Sequence, residues 1–194
     1  LIMDAVRKAN SGHPGGAMSS ADFIYLLFKD YLKFDPKDPN WFDRDRFILS
    51  GGHMSMLQYS ILHFLGWMKL SEIKKFRQLG SHTPGHPEVE IPGVECTTGP
   101  LGQGFAMGVG MALAEAYLSN LISNNDKESK NLIDHFTYVL ATDGDLQEPV
   151  ALGAAAIAGH LGLNKLVVYY DANDAQISGK VSRSDSVNYA VLFD

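Results

Sequence analysis

The sequence predicts an α/β fold, a mostly parallel sheet flanked by helices, and two observations carry that expectation. First, residues 136–141 are apolar and β-branched enough for a buried strand, residues 149–161 are rich in Ala and Leu, and residues 165–170 read as strand again. A strand, a helix and a strand in that order form a βαβ unit with parallel strands. Second, each strand runs straight into a loop rich in oxygen ligands, Thr142-Asp143-Gly144-Asp145 after one and Asp171-Ala172-Asn173-Asp174-Ala175 after the other. In open parallel sheets, ligands gather outside the carboxyl ends of the strands.

From the N-terminus, residues 18–32 read as an amphipathic helix with Ser19 or Ser20 near its start, and residues 34–40 as a Pro/Asp loop. Arg46–Leu49 is a short strand. Residues 54–65 and 70–78 follow as helices, then a long Gly/Pro-rich loop over 80–100 carries His82 and His86. Loops of that length are usually functional. Residues 104–121 make a long helix with Gly104, Gly108, Gly110, Ala112 and Ala114 along it, and the polar stretch 123–130 reads as a solvent-facing connector. Small residues let a helix approach its neighbour closely, either the domain's own sheet or a second subunit. No internal repeat or linker is evident, so one α/β domain is expected over 1–194.

Asp143 and Asn173 lie 30 residues apart on adjacent crossovers, the placement that lets one hard cation bridge two strand ends. Magnesium favours carboxylate, amide, carbonyl and phosphate oxygens, so Asp143, Asn173 and the carbonyl of Ala175 form a candidate set, with Ca2+ or Mn2+ as substitutes. Gly144 lets backbone come close to a phosphate. Each segment alone also fits a plain turn or polar loop.

His13, His53 and His86 each sit beside Gly or Pro in a loop, which frees the imidazole to project into a cleft, and a group titrating near neutrality can accept and return a proton. For each taken singly, a loop histidine capping backbone is an equal reading. His63, His82, His135 and His160 are assigned structural places, and no zinc-ligand spacing accompanies His82 and His86. Gly99-Pro100-Leu101-Gly102-Gln103-Gly104 opens the long helix with amides free to receive phosphate oxygens, yet lacks the Lys-Ser/Thr ending of a nucleotide-hydrolysing loop. Glu148 is acidic at a helix start, as the dipole favours.

Sixteen basic against twenty-two acidic residues, net charge −6, argue against a general nucleic-acid binder. One cysteine, Cys96, excludes an internal disulfide. No uninterrupted apolar run reaches the roughly 18 residues of a membrane span, so no membrane partner and a cytoplasmic location are expected. Leu1 is not a methionine and the apolar run 191–194 breaks off, so truncation at both ends is expected.

Four motifs in order carry a resemblance: Asn10-Ser11-Gly12-His13-Pro14-Gly15; Asp45-Arg46-Phe47-Ile48-Leu49-Ser50 with Gly52-His53; Thr83-Pro84-Gly85-His86-Pro87-Glu88; and Thr97-Thr98-Gly99-Pro100-Leu101-Gly102-Gln103-Gly104. With the two oxygen-rich loops they cover almost the whole chain, which resembles the diphosphate-binding domain of transketolase. The sequence departs from the family pattern at Thr142, where glycine is usual and loop geometry is in question, at Pro149, where glycine is common, and at Ala175, where a larger aliphatic is common.

The resemblance implies a thiamine diphosphate-binding fold and a pentose phosphate pathway activity. A two-carbon ketol unit would pass from a ketose phosphate to an aldose phosphate with thiamine diphosphate and a divalent metal. His13 and His86 would contact the sugar and manage its protons. His53, Gly99, Pro100, Leu101, Gly144, Glu148 and Asn173 would face the cofactor, Glu148 near a subunit boundary. Asp143, Asn173 and Ala175 would hold the metal. It further implies a homodimer, or a complementary chain bearing the pyrimidine-binding domain, with that domain and a C-terminal one outside these 194 residues and the segment alone inactive. Dihydroxyacetone synthase, deoxyxylulose-phosphate synthase and a non-catalytic metal and diphosphate-binding subunit are the alternatives.

Overall fold

Three parallel strands in the order β1-β2-β3 form the centre of the molecule: β1 (Arg46–Leu49), β2 (Thr137–Thr142) and β3 (Leu166–Asp171). The computed structural model describes residues 1–125, 132–177 and 179–194. Register runs Arg46↔Thr137 to Leu49↔Leu140 and Thr137↔Leu166 to Thr142↔Asp171, so the strands start level, β2 and β3 end together, and β1 stops opposite Leu140. The expected βαβ unit is present, closed by α8 (Pro149–Leu161), with Pro149 in the first turn, where no amide is needed.

Side-chain alternation assigns the two faces of the sheet. Phe47, Leu49 and Leu140 pack against α2 (Pro14–Ser19), α3 (Ala21–Leu26) and α4 (Ser55–Phe64) through Ala17, Ile24 and Leu57. Ile48, Val139 and Ala141 pack against α6 (Gln103–Asn125) and α8 through Phe105, Val109 and Ala154. A third cluster joins α1 (Ile2–Ala9), α4 and the 91–94 loop around Tyr59, Met68 and Phe76. The remaining elements are short: α5 (Leu70–Ile73), α7 (Asp143–Leu146), the antiparallel pair β4 (Ala175–Gln176) and β5 (Gly179–Lys180), and α9 (Tyr189–Leu192).

Several helices differ from their sequence reading. The single helix expected over 18–32 is α2, then a break at Ser20, then α3 and a π turn at Leu27–Tyr31. The break has a tertiary cause: Ser20 is 1% exposed and its hydroxyl, with that of Ser19, donates to Asp171 at the end of β3. The helix expected over 70–78 stops after Ile73, where the chain goes over to turns in which the Lys75 and Phe76 amides bond the Glu72 and Ile73 carbonyls, and Arg77 then takes a left-handed conformation, φ 60°. The connector expected over 123–130 begins inside α6, whose last three residues are Ser123, Asn124 and Asn125; the rest of it lies outside the described residues.

The small residues of α6 divide between its faces. A Cβ on Gly104 would lie 2.6 Å from the Ser50 Cα and one on Gly108 would lie 2.4 Å from a Val139 methyl, so this face presses on the sheet. Gly110 has open space, and Met107, Leu113 and Tyr117 on the outer side are exposed. α6 is 23 residues long, and an 18-residue window of it has mean hydropathy 1.3, long and apolar enough to cross a bilayer on length and composition alone. It carries Glu115, 3% exposed and paired with Lys165 at 2.7 Å, and one of its faces is laid on β1 and β2 while the other is exposed.

His135 is buried at the opposite, amino end of the sheet with its Nδ1 unpartnered. Burial first, and the Arg46 charge second, push its pKa from 6.5 down to about 4. Between those values the unfolded chain binds the extra proton, so stability rises with pH through that window and is lost as pH falls through it. Unfolding of the His135→Gln variant should show a flatter dependence over pH 4 to 6.5; an unaltered slope in denaturant titrations would disprove this. Gly108→Val should cost about 3 kcal/mol in the same assay, because overpacking against Val139 leaves nothing to collapse.

Candidate functional site

The carboxyl ends of β1, β2 and β3 carry almost every residue the sequence singled out. One that it did not single out holds them together. Asp145, 0% exposed, accepts four hydrogen bonds. Its Oδ2 takes the Thr142 amide and hydroxyl, both at 2.9 Å, closing a capping box on α7. Its Oδ1 takes the Ser50 hydroxyl at 2.7 Å and the Gly102 amide at 2.8 Å. Ser50 in turn accepts from the Phe105 amide at 2.9 Å. The end of β1, the end of β2 and the start of α6 are thus tied to one carboxylate.

That tie clarifies Thr142. Its backbone is extended, φ −117° and ψ 171°, which any residue adopts, and its methyl lies over Gly51, where an added Cβ would stand 2.8 Å away. The side chain serves as the helix cap, so the loop is closed with threonine in place.

Asp143, 3% exposed, sits at the tip of β2. One oxygen accepts from the Tyr170 hydroxyl and the other from the Asn173 amide at 3.1 Å, so the two loops meet as their spacing anticipated. Burial and the Asp143 carboxylate both push the Tyr170 phenol up, keeping it a donor. The Asn173 side-chain oxygen accepts from the Ala175 amide at 3.0 Å and its nitrogen donates to Asp171 at 3.2 Å. Asp174 beside them is left-handed, φ 56°. Each carboxylate and amide oxygen keeps a second lone pair, so Asp143, Asn173 and the Ala175 carbonyl offer hard oxygen donors of the type Mg2+ takes.

Opposite stands the 98–102 loop. Gly99 has φ 155°, a value L side chains rarely adopt. A Cβ on Gly52 would be 2.8 Å from the Gly99 nitrogen, and one on Gly144 would be 2.9 Å from a Leu101 methyl. Three loops therefore converge on glycines, packed too closely to admit a side chain at these positions. The Thr98 hydroxyl is buried here without a partner among the described residues. Neither Thr98 nor Ser50 was singled out, although both lie inside the quoted motifs. The arrangement fits a metal-bound diphosphate.

The three singled-out histidines gather at this end. His13 and His53 lie edge to face with ring centroids 5.2 Å apart, and His86 packs so closely on Gly99 that a Cβ there would be 3.2 Å from its ring. Burial lowers the pKa of His53, with His13 adding to the effect against the opposing pull of Asp145. Burial likewise lowers that of His86, helped by Arg77 and His13. Pro100 and Glu148 stand at the exposed rim, Glu148 as N-cap of α8 with its Cβ against Gly102, 2.7 Å from where a Cβ there would be. By contrast His63 bonds the Met68 carbonyl at 2.9 Å and His82 projects into solvent, both away from this cluster.

Asp145→Asn would turn one acceptor oxygen into a donor facing donors. It should destabilise the chain by about 3 kcal/mol, measured by denaturant midpoint; a loss under ~0.5 kcal/mol would mean the four bonds are not the tie described.

The profile described as transketolase, thiamine diphosphate binding domain, matches residues 1–193. Transketolase of Staphylococcus aureus strain MW2 is 52% identical over all of this chain and 29% of its own length, and that of Geobacillus stearothermophilus 50% over the same shares. Among solved structures, transketolase from Campylobacter jejuni superposes with a TM-score of 0.93 at 45% identity, covering 99% of this chain and 29% of that one. The Leishmania mexicana enzyme gives 0.94 at 45%, covering 100% and 29%. The chain thus spans somewhat under a third of the length of its relatives. Matched from end to end in sequence and in fold, it belongs to the transketolase family, in the part of that family that binds thiamine diphosphate.

Proposed function

We propose that this chain supplies the metal and diphosphate half of a transketolase site, acting in ketol transfer between sugar phosphates. The supporting observation is the meeting of Asp143 and Asn173 across the ends of β2 and β3, 3.1 Å apart and facing the Gly99–Leu101 turn. In this reading Asp143, the Asn173 side-chain oxygen and the Ala175 carbonyl hold Mg2+, with Ca2+ or Mn2+ able to replace it, and Gly144 and Asn173 stand beside the diphosphate. Gly99, Pro100 and Leu101 line the opposite wall with His53. Bound thiamine diphosphate supplies a carbanion that can take up and release a two-carbon unit.

The chain's own work is positional and protonic. His13 and His86 face the donor sugar and accept or return its hydroxyl protons. Burial first, and neighbouring charge second, lower the pKa of both His53 and His86, which favours the neutral ring that an acceptor needs. Glu148 at the rim faces a second subunit, a homodimer mate or a complementary chain that brings the pyrimidine-binding domain, and the segment alone is inactive. A cytoplasmic setting and the pentose phosphate pathway accompany these substrates. The relatives quoted all carry the transketolase name, which leaves dihydroxyacetone synthase, deoxyxylulose-phosphate synthase and a non-catalytic subunit disfavoured.

The test places this chain in the matching segment of the Staphylococcus aureus relative and follows ketol transfer together with thiamine diphosphate binding by calorimetry in Mg2+. Asp143→Ala should weaken cofactor binding on the order of 100-fold, the equivalent of about 3 kcal/mol for a charged ligand lost. Retained affinity would sink the metal assignment. A chimera that folds and binds cofactor yet transfers no ketol unit would sink the functional reading.

A further inference from the structure

Arg77 lies outside every motif that the functional reading uses, yet its conformation is one of three left-handed non-glycine residues among those described, with φ 60°. The other two, Asn10 and Asp174, each adjoin a loop of the candidate site. Such a backbone persists in a long-side-chain residue only where its surroundings hold it. Here the Arg77 amide bonds the Thr83 carbonyl at 2.9 Å, closing the turn that precedes the His86 loop.

The side chain then crosses between two loops. Its Nη1 donates to the Ser11 hydroxyl at 2.8 Å, two residues before His13. Its guanidinium lies flat on Gly85, the residue before His86, where an added Cβ would be 3.0 Å from Nε and 3.1 Å from Cζ. The Nε is buried without a partner among the described residues, so the group is held there by its packing and its Nη1 bond. The neighbouring Phe76, 2% exposed, does the same work on the apolar side, since a Cβ on Gly12 would stand 3.1 Å from its ring. The guanidinium also sits 5.5 Å from the Phe76 ring centroid.

Gly12 and Gly85 are thus the two points where the histidine loops are thin enough to lie on this pair. We propose that Arg77 is a positioning residue that clamps the loop carrying His13 to the loop carrying His86, fixing the distance between the two groups that face the sugar. The proposal rests on the functional reading above and goes beyond it, for Arg77 is placed against neither cofactor nor metal. Its charge has a second consequence. The charged or titratable groups acting on His86 are Arg77 and His13, and both disfavour its protonation, in addition to burial.

The experiment uses the same full-length chimera with saturating thiamine diphosphate and Mg2+, comparing Arg77→Met, Arg77→Lys and Ser11→Ala. Arg77→Met should lower kcat/KM for the ketose phosphate on the order of tenfold or more, as a displaced catalytic group does. The acid limb of its pH profile should move to higher pH, while cofactor affinity stays within about twofold of the parent, because the Asp143 side is untouched. Arg77→Lys should keep the acid limb in place, since the charge remains, and Ser11→Ala should lower kcat/KM with the limb unmoved. The proposal is overturned if Arg77→Met leaves kcat/KM and the acid limb unchanged, if its cofactor affinity falls in parallel with its activity, or if Arg77→Lys moves the limb as Arg77→Met does. A parent chimera that binds cofactor without ketol transfer would instead remove the functional reading, and this inference with it.

Discussion

The candidate site depends on a charge that never meets solvent. A wholly buried carboxylate is costly unless its lone pairs are filled, and Asp145 fills four, with donors from Thr142, Ser50 and Gly102. Because those donors come from the ends of two strands and from the approach to α6, satisfying the charge fixes their relative positions. Any drift of the 98–102 loop away from the β2 end would leave the carboxylate short of a donor. The glycines then follow from the closeness so imposed. Gly52, Gly102, Gly104 and Gly144 all stand where an added Cβ would meet a neighbour at 2.9 Å or less.

The same logic places strain where the loops turn. Asn10, Arg77 and Asp174 are each left-handed without being glycine, and each is held by its neighbours, as the Asn173 bond to Ala175 pins the Asp174 turn. The tertiary bonds run to the strand ends as well. Asp171 collects Ser19, Ser20 and Asn173, so the short α2 behind His13 is anchored to β3. Loops that would be mobile as isolated segments become extensions of the sheet.

The sheet and its crossover were legible because period and composition are local properties. Residues 136–141 and 165–170 announce strands without reference to anything else, and Pro149 fits its helix start by its own chemistry. Asp143 and Asn173 were legible because parallel topology brings consecutive strand ends together, so spacing stands in for distance. What local reading missed were features decided by remote partners. The break at Ser20 is made by Asp171, 151 residues away, and Asp145 read as one more acidic residue in a polar loop because its role is defined by Ser50 and Gly102. Likewise α5 looked longer than it is, since nothing in residues 74–78 signals that the chain goes over to turns after Ile73 and that Arg77 closes on Thr83.

The three histidines show how placement becomes chemistry. An exposed imidazole would be partly protonated near neutrality and a poor acceptor. Here His53 is half-buried where the loops converge while His86 stays at the exposed edge, and each sits where a positive charge on His13 would repel a proton of its own. Desolvation is the larger cause for both, so the lowering follows from the close backbone approach at Gly51 and Gly99 more than from any single charge. The carboxylates Asp145 and Asp171 work against that effect at His53, and among the described residues no carboxylate does so at His86. The buried tie at Asp145, by holding the 98–102 loop in place, also holds the surface on which the His86 ring rests.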